Sequence, residues 1–288
     1  MMNRTEPAAL PLIMIEPIVR AALAEDLGRA GDITTDAMIP LEARARGALA
    51  ARKRGVVAGL DVAATAFRLL DPEVRIEAVR RDGDVIEAGA TIAAVAGRAR
   101  SLLSVERVAL NFLCRLSGIA TATRTIVGAV AGYPARICDT RKTTPGLRAL
   151  EKYAVRVGGG VNHRFGLDDG VLLKDNHIAV AGGIRAAVAK ARRSLGHMVK
   201  IEVEVDRLDQ IGEALAAGAD VIMLDNMTTA QMREAVEMIG GRAIVEASGR
   251  ITAESAPAIA ATGVDMISAG WITHSAPILD IGLDFEGE

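Results

Sequence analysis

Between Lys200 and Asn226 the chain reads KIEVEVDRLDQIGEALAAGADVIMLDN. Two apolar runs, Val199–Val205 and Val221–Leu224, flank a stretch with helical spacing, Leu208–Ala217. The pattern returns at intervals of 21 or 22 residues, in Ala243–Glu246 and Val264–Ser268. That interval is long enough for a right-handed crossover helix between parallel strands. The runs are nearly continuous Val, Ile, Met and Leu, as in a sheet covered on both faces.

Upstream, Arg136–Thr140 and Val171–Asp175 read as two further strands. Helices are expected over Pro145–Val157, Gly182–Leu195, Thr229–Ile239 and Ala253–Ala261, with Pro145 in a first turn. Six strand–helix units without a doubly-wound signature predict a closed or nearly closed α/β barrel. The N-terminal part has a different rhythm. Ile15–Leu27 has helical spacing, and Asp32 or Thr34 offers a turn or cap. Ala45–Leu60 is strand-like, and Asp61–Leu70 is an amphipathic helix capped by Asp61. Val74–Ala96 reads as hairpins broken at Asp82-Gly83-Asp84 and Ala88-Gly89, before helices at Leu102–Leu116 and Thr121–Val130.

Half of the 288 residues are apolar but only seven are aromatic, so the core is aliphatic and stacking platforms for single-stranded nucleic acid are scarce. The 34 basic and 36 acidic residues nearly balance, which excludes a global field toward DNA or anionic membrane. Cys114 and Cys138 lack metal-ligand spacing and read as small buried hydrophobes. The apolar stretch Ala8–Ile15 is interrupted by Pro11 and has no cleavage pattern, and no run approaches the roughly 18 apolar residues of a membrane span. The expected location is cytoplasmic.

Chemistry collects where the strands end. Asp139-Thr140-Arg141-Lys142 follows the first, Lys174-Asp175-Asn176-His177 the second, Glu202-Val203-Glu204 the third, Asp225-Asn226 the fourth, Glu246-Ala247-Ser248-Gly249 the fifth and Ala269-Gly270 the sixth. The carboxyl ends of barrel strands form the catalytic face. Arg141, Lys142, His163, Arg164 and Lys174 imply a ligand with several anionic groups. Glu204 and Asp225 could hold Mg²⁺ or pair with these cations. Ser248, Gly249 and Gly270 occupy the place where barrels often bind phosphate through backbone N–H groups. His177, His197 and His274 are lone histidines, Asp168-Asp169 reads as a solvated turn, and Gly158-Gly159-Gly160 ends a helix or forms a loop at the site.

The run DTRKTTPGLRALEKYAVRVGGGVNHRFGLDDGVLLKDNH from Asp139 closely resembles the signature of the quinolinate phosphoribosyltransferases. The resemblance extends through EDLGRAGDITTDAMIP from Glu25, ERVALNFLCRLSGIAT from Glu106, KIEVEVD from Lys200 and VIMLDNM from Val221. It continues in VEASGRI from Val245 and TGVDMISAGWITHSAPILDIGLDF from Thr262. It implies a partly open, TIM-like α/β barrel of about six to seven strands with an N-terminal α+β sandwich domain that the C-terminal tail rejoins. The expected division is 1–116, 117–272 and a tail 273–288.

The implied reaction joins quinolinate to phosphoribosyl pyrophosphate, releasing pyrophosphate and CO₂ and giving nicotinate mononucleotide for NAD synthesis. Arg141, His163, Arg164 and Lys174 would grip quinolinate, with Arg107 reaching in from the other subunit of a homodimer or larger assembly. Lys142 would face pyrophosphate, and Glu204 and Asp225 would hold ribose hydroxyls and Mg²⁺, brought mainly with phosphoribosyl pyrophosphate. Lys142, Lys174, Glu204 and Asp225 are the expected catalytic group, and Ser248, Gly249 and Gly270 would receive the 5′-phosphate. The sequence departs from the family pattern at Arg250, where Gly or Asn usually follows Ser-Gly.

Three other readings compete. A related transferase would act on another pyridine or azole without decarboxylation. A Schiff-base aldolase would use Lys174. The stretch RDGDVIEAGATIAAVAG from Arg81 resembles a biotinyl or lipoyl carrier hairpin, but no Lys lies between Lys53 and Lys142 to carry the group.

Overall fold

The computed structural model describes residues 7–286, which form two compact units. The first comprises the chain to Arg124 together with Thr143–Gly159 and Thr273–Glu288; the second comprises Thr125–Lys142 and Gly160–Ile272. The boundary between these units falls inside one long helix, and the segment 143–159 groups with the first unit.

In the first unit, α1 (Leu12–Leu27) and α2 (Ile33–Met38) precede β1 (Arg44–Ala51) and β2 (Gly55–Val56). There follow α3 (Leu60–Leu70), β3 (Arg75–Ala78), β4 (Val85–Ile86), β5 (Thr91–Arg98) and α4 (Ala99–Ala129). Asp32 caps α2 by accepting from Thr35 N–H at 3.0 Å. The expected Asp61 cap of α3 is not formed. Asp82 instead crosses from the β3–β4 loop to accept from Gly59 and Leu60 N–H at 2.8 and 3.1 Å, and Tyr153 Oη donates to the same carboxylate at 2.7 Å. Burial is the main force pushing the Asp82 carboxyl above its usual range.

The expected hairpins also pair differently. β3 pairs with β5 and β4 with β2, because Asp82-Gly83-Asp84 serves as a helix cap rather than as a tight strand turn. The two helices expected around residues 102–130 are one helix, α4. Gly118 does not break it: a Cβ there would overlap the Pro277 carbonyl, so glycine permits close approach of the tail. That tail ends in a strand over Ile281–Phe285, antiparallel to β1, giving a four-stranded sheet with β1 between it and β5.

The second unit is the barrel. It opens with β6 (Arg136–Cys138); α5 (Arg148–Gly158), which comes next in sequence, belongs to the first unit. Pro145 lies before α5, not in its first turn: the segment turns earlier, and Thr144 N–H and Oγ1 bond to the buried Glu151 carboxylate at 3.1 and 2.8 Å. Then come β7 (Val171–Leu173), α6 (Asp175–Ala181), α7 (Ile184–Ser194), β8 (Ile201–Val205), α8 (Asp209–Ala217) and β9 (Val221–Asp225). The unit finishes with α9 (Thr229–Ile239), β10 (Ile244–Ser248), α10 (Ala256–Ala260), β11 (Met266–Ser268) and α11 (Trp271–His274), whose last two residues belong to the first unit; the tail strand is β12.

The six barrel strands are parallel in the order β6-β11-β10-β9-β8-β7. No ladder joins β6 to β7 among the described residues, so the barrel is open along that seam, as expected. Ile201, Val203, Ile222, Leu224, Val245, Ala247 and Ile267 are buried and supply its aliphatic core. Parallel register brings every strand's carboxyl end to one rim: Ser248 stands opposite Asp225, and Glu204 opposite Met223.

Candidate active site

The rim is built first by a buried aspartate. Asp139, fully buried just beyond β6, accepts from His163 N–H at 2.9 Å and from Asn162 Nδ2 at 2.6 Å. A parallel bridge between Cys138 and Val161 lays the 161–164 segment beside β6. His163 and Arg164 are thus held at the rim although they lie in a loop.

His163 Nε2 lies 2.8 Å from Glu202 Oε2 on β8 and 3.9 Å from Glu246 Oε2 on β10. Both carboxylates are buried, with side chains 8% and 4% exposed, and each has an Oε1 without a hydrogen-bond partner. Burial first, and then the Glu202 charge, push the Glu246 carboxyl up to about 7. The sequence reading noticed both residues at strand ends but did not place them in the site. Their parity is the usable signal: Glu202 shares a strand face with Glu204, and Glu246 with Ser248.

Arg141 and Arg164 each present a buried Nε with no hydrogen-bond partner, while Arg164 Nη1 donates to the Gly170 carbonyl at 2.9 Å. Burial, and secondarily the Arg141 charge, lower the Arg164 guanidinium below its usual range. Two cations so close, with donors unused, make a receptor for an anion carrying more than one charged group. Lys142 follows directly, its N–H on Thr140 Oγ1 at 3.0 Å.

Strand β7 ends at Leu173, two residues before the expected end, and Lys174 begins α6 with its N–H donated to His177 Nδ1 at 3.1 Å. His177 therefore has a capping role. Lys174 Nζ pairs with Glu204 Oε2 at 3.8 Å. Burial raises the Glu204 carboxyl, Lys174 opposes that rise, and the Asp225 charge adds to it. Asp225 accepts from Asn226 Nδ2 at 2.6 Å. The Glu204 and Asp225 carboxylates sense one another at neighbouring strand ends, which suits a hard divalent cation.

Beyond β10, Gly249 has φ +111, and a Cβ there would overlap Asn226 Oδ1. Arg250 is left-handed at φ 47, the conformation that Gly or Asn adopts most readily. Trp271, just after Gly270, donates Nε1–H to the Ile251 carbonyl at 2.9 Å and so ties the two loops together. Arg107 lies exposed on α4 in the first unit. Asp169 shapes the 165–169 turn by accepting from Phe165 and Gly166 N–H, and Gly159 ends α5. Cys114 and Cys138 are buried, as expected of small hydrophobes, and no helix among the described residues is long and apolar enough to cross a membrane.

Comparison with known proteins agrees along the chain. Residues 32–117 match the quinolinate phosphoribosyl transferase N-terminal domain, and residues 119–284 its C-terminal domain. A probable nicotinate-nucleotide pyrophosphorylase [carboxylating] of Bacillus subtilis is 47% identical over 272 residues, covering 94% of this chain and 93% of that protein. A probable enzyme of the same name from Synechocystis sp. is 46% identical, covering 97% and 96%. The crystal structure of NadC from Streptococcus pyogenes superposes with a TM-score of 0.93 at 43% identity, covering 97% of this chain and all of that one. By its sequence, its fold and the order of its motifs, this chain belongs to the quinolinate phosphoribosyltransferase family.

Proposed function

We infer that the chain transfers phosphoribosyl from phosphoribosyl pyrophosphate to quinolinate and decarboxylates the product to nicotinate mononucleotide, a step of NAD synthesis. The observation that carries the substrate is the Arg141–Arg164 pair, with a buried unpartnered Nε on each. Unpaired buried donors are costly, and a ligand with two adjacent carboxylates satisfies them.

Arg141, His163, Arg164 and Lys174 bind the two carboxylates, and Lys142 faces the pyrophosphate. Ser248, Gly249 and Gly270 take the 5′-phosphate through backbone N–H groups. The ring nitrogen attacks C1′ as pyrophosphate leaves, so positive charge grows on the ribose. Glu204 and Asp225 stand where negative charge stabilises it. They also suit Mg²⁺, which when bound neutralises the leaving pyrophosphate. No residue needs to be a covalent nucleophile, since positioning and electrostatics act on both partners. Arg107 completes the quinolinate site from another subunit of a homodimer or larger assembly, and the enzyme works in the cytoplasm.

Purified protein incubated with quinolinate, phosphoribosyl pyrophosphate and Mg²⁺ should yield nicotinate mononucleotide, pyrophosphate and CO₂. Nicotinate, lacking the 2-carboxylate, should be a poor substrate. Equal turnover of the two acids would overturn the assignment.

A further inference from the structure

We propose that Glu246, paired with Glu202 across the His163 imidazole, is a buried proton store that supplies the hydrogen placed on the substrate ring when CO₂ leaves. The proposal rests on the reaction inferred above. That reaction has an unmet requirement. When the bond from C2 to the carboxylate breaks, CO₂ departs and the electron pair remains on C2, beside the ring nitrogen now bonded to ribose. A C–H bond must then form, so one proton is consumed inside the site in every turnover.

The barrel interior holds a group suited to that task. His163 Nε2 faces Glu202 at 2.8 Å and Glu246 at 3.9 Å, and each carboxylate keeps an Oε1 with no partner. Two buried carboxylates on one imidazole cannot both lose their protons cheaply. The groups facing the cluster come from four strands: Asp139 beyond β6, Glu202 on β8, Glu246 on β10 and Ser268 on β11. Asp139 adds negative charge, while the Arg164 guanidinium senses the Glu202 charge. Glu246 accordingly retains its proton near neutrality, its carboxyl raised to about 7. In the step, the imidazole gives a proton to C2 and takes one at Nε2 through Glu202, 2.8 Å away, which is recharged in turn by the proton of the Glu246 carboxyl. Glu246 is left ionised, and solvent restores its proton after product leaves. Glu246 thus acts through His163 and not on the substrate itself.

Single-turnover measurement of pyrophosphate and CO₂ in parallel tests this, using the full chain with both substrates and Mg²⁺. Glu246→Gln should release pyrophosphate within about twofold of the wild-type rate and keep the quinolinate KM. Its CO₂ release should slow at least tenfold, with the undecarboxylated nucleotide accumulating. Glu246→Asp should recover part of the CO₂ rate, which a purely structural role would not produce. Equal CO₂ rates in Glu246→Gln and wild type would overturn the proposal. So would parallel loss of both products in a variant that melts like wild type, or a stoichiometric divalent ion, detected by elemental analysis, that disappears in Glu246→Gln. Absence of pyrophosphate from the wild type would instead sink the reaction itself.

Discussion

Lys174 Nζ lies 3.8 Å from Glu204 Oε2, an ion pair carried across the β7–β8 ladder at the carboxyl rim of the barrel. The next carboxylate along the rim, Asp225, pushes the Glu204 carboxyl up, whereas Lys174 pulls it down. A cation shared by Glu204 and Asp225 would relieve that repulsion. Chelation of Mg²⁺ should therefore abolish turnover, and Asp225→Asn should lower kcat more than it weakens quinolinate binding. Steady-state kinetics with excess chelator decides the point: full activity there removes the metal from the mechanism.

Arg141 and Arg164 offer forked, planar donors, whereas lysine offers a point charge. Arg141→Lys should keep the charge but weaken quinolinate use roughly ten- to a hundredfold, on the order of 1.4–2.8 kcal/mol. The ratio kcat/KM for quinolinate measures this. Wild-type kinetics would show that the Arg141 Nε, buried and unpartnered here, meets no substrate.

Much of this arrangement was legible in the sequence, because parallel strands under helices impose both a period and a polarity. The 21- to 22-residue spacing located β8 to β11, and the charge after each apolar run marked the rim. What stayed hidden depended on long-range partners. Asp82 caps α3 from more than twenty residues away, and Gly118 stays helical because the tail passes over it. Helix α6 begins within a presumed strand end, where His177 supplies a local cap. Glu202 and Glu246 were missed because charge at a strand end reads as exposed, whereas alternation turns these two into the barrel.

The loop after β10 contains two left-handed residues that call for opposite substitutions. Arg250 at φ 47 bears a steric cost of about 1–2 kcal/mol that glycine escapes, partly offset by glycine's greater entropy when unfolded. Arg250→Gly should raise stability by about 0.5–1 kcal/mol in denaturant titrations. Gly249→Ala should do the reverse and impair phosphoribosyl pyrophosphate use, since its Cβ would meet Asn226. A neutral Gly249→Ala would remove the need for glycine at the phosphate loop.

Arg107 stands on α4 in the first unit, while Lys142 belongs to the second. If the quinolinate site takes Arg107 from a two-fold partner, Arg107→Ala and Lys142→Ala should each be nearly inactive alone yet complement when mixed. With random exchange at equal amounts, half the dimers are mixed and each has one intact site, so roughly a quarter of wild-type activity should return. Demonstrated exchange with no recovery would place Arg107 within its own chain or outside the site.

Glu246 also predicts how stability changes with pH. Its carboxyl is raised from 4.5 to about 7 in the folded chain. Between those values the folded protein holds more protons than the unfolded one, so stability falls as pH rises through the window and levels off above it. The loss is about 3 kcal/mol, carried by a side chain that is 4% exposed. Glu246→Gln removes the titration but keeps the shape. Its melting temperature relative to wild type should therefore climb by several degrees between pH 4.5 and pH 7.5, with the variant ahead at the alkaline end. Thermal melts of both proteins in matched buffers measure the difference. A gap that does not change with pH would show that the Glu246 carboxyl is ionised throughout, and would leave His163 between two permanent negative charges.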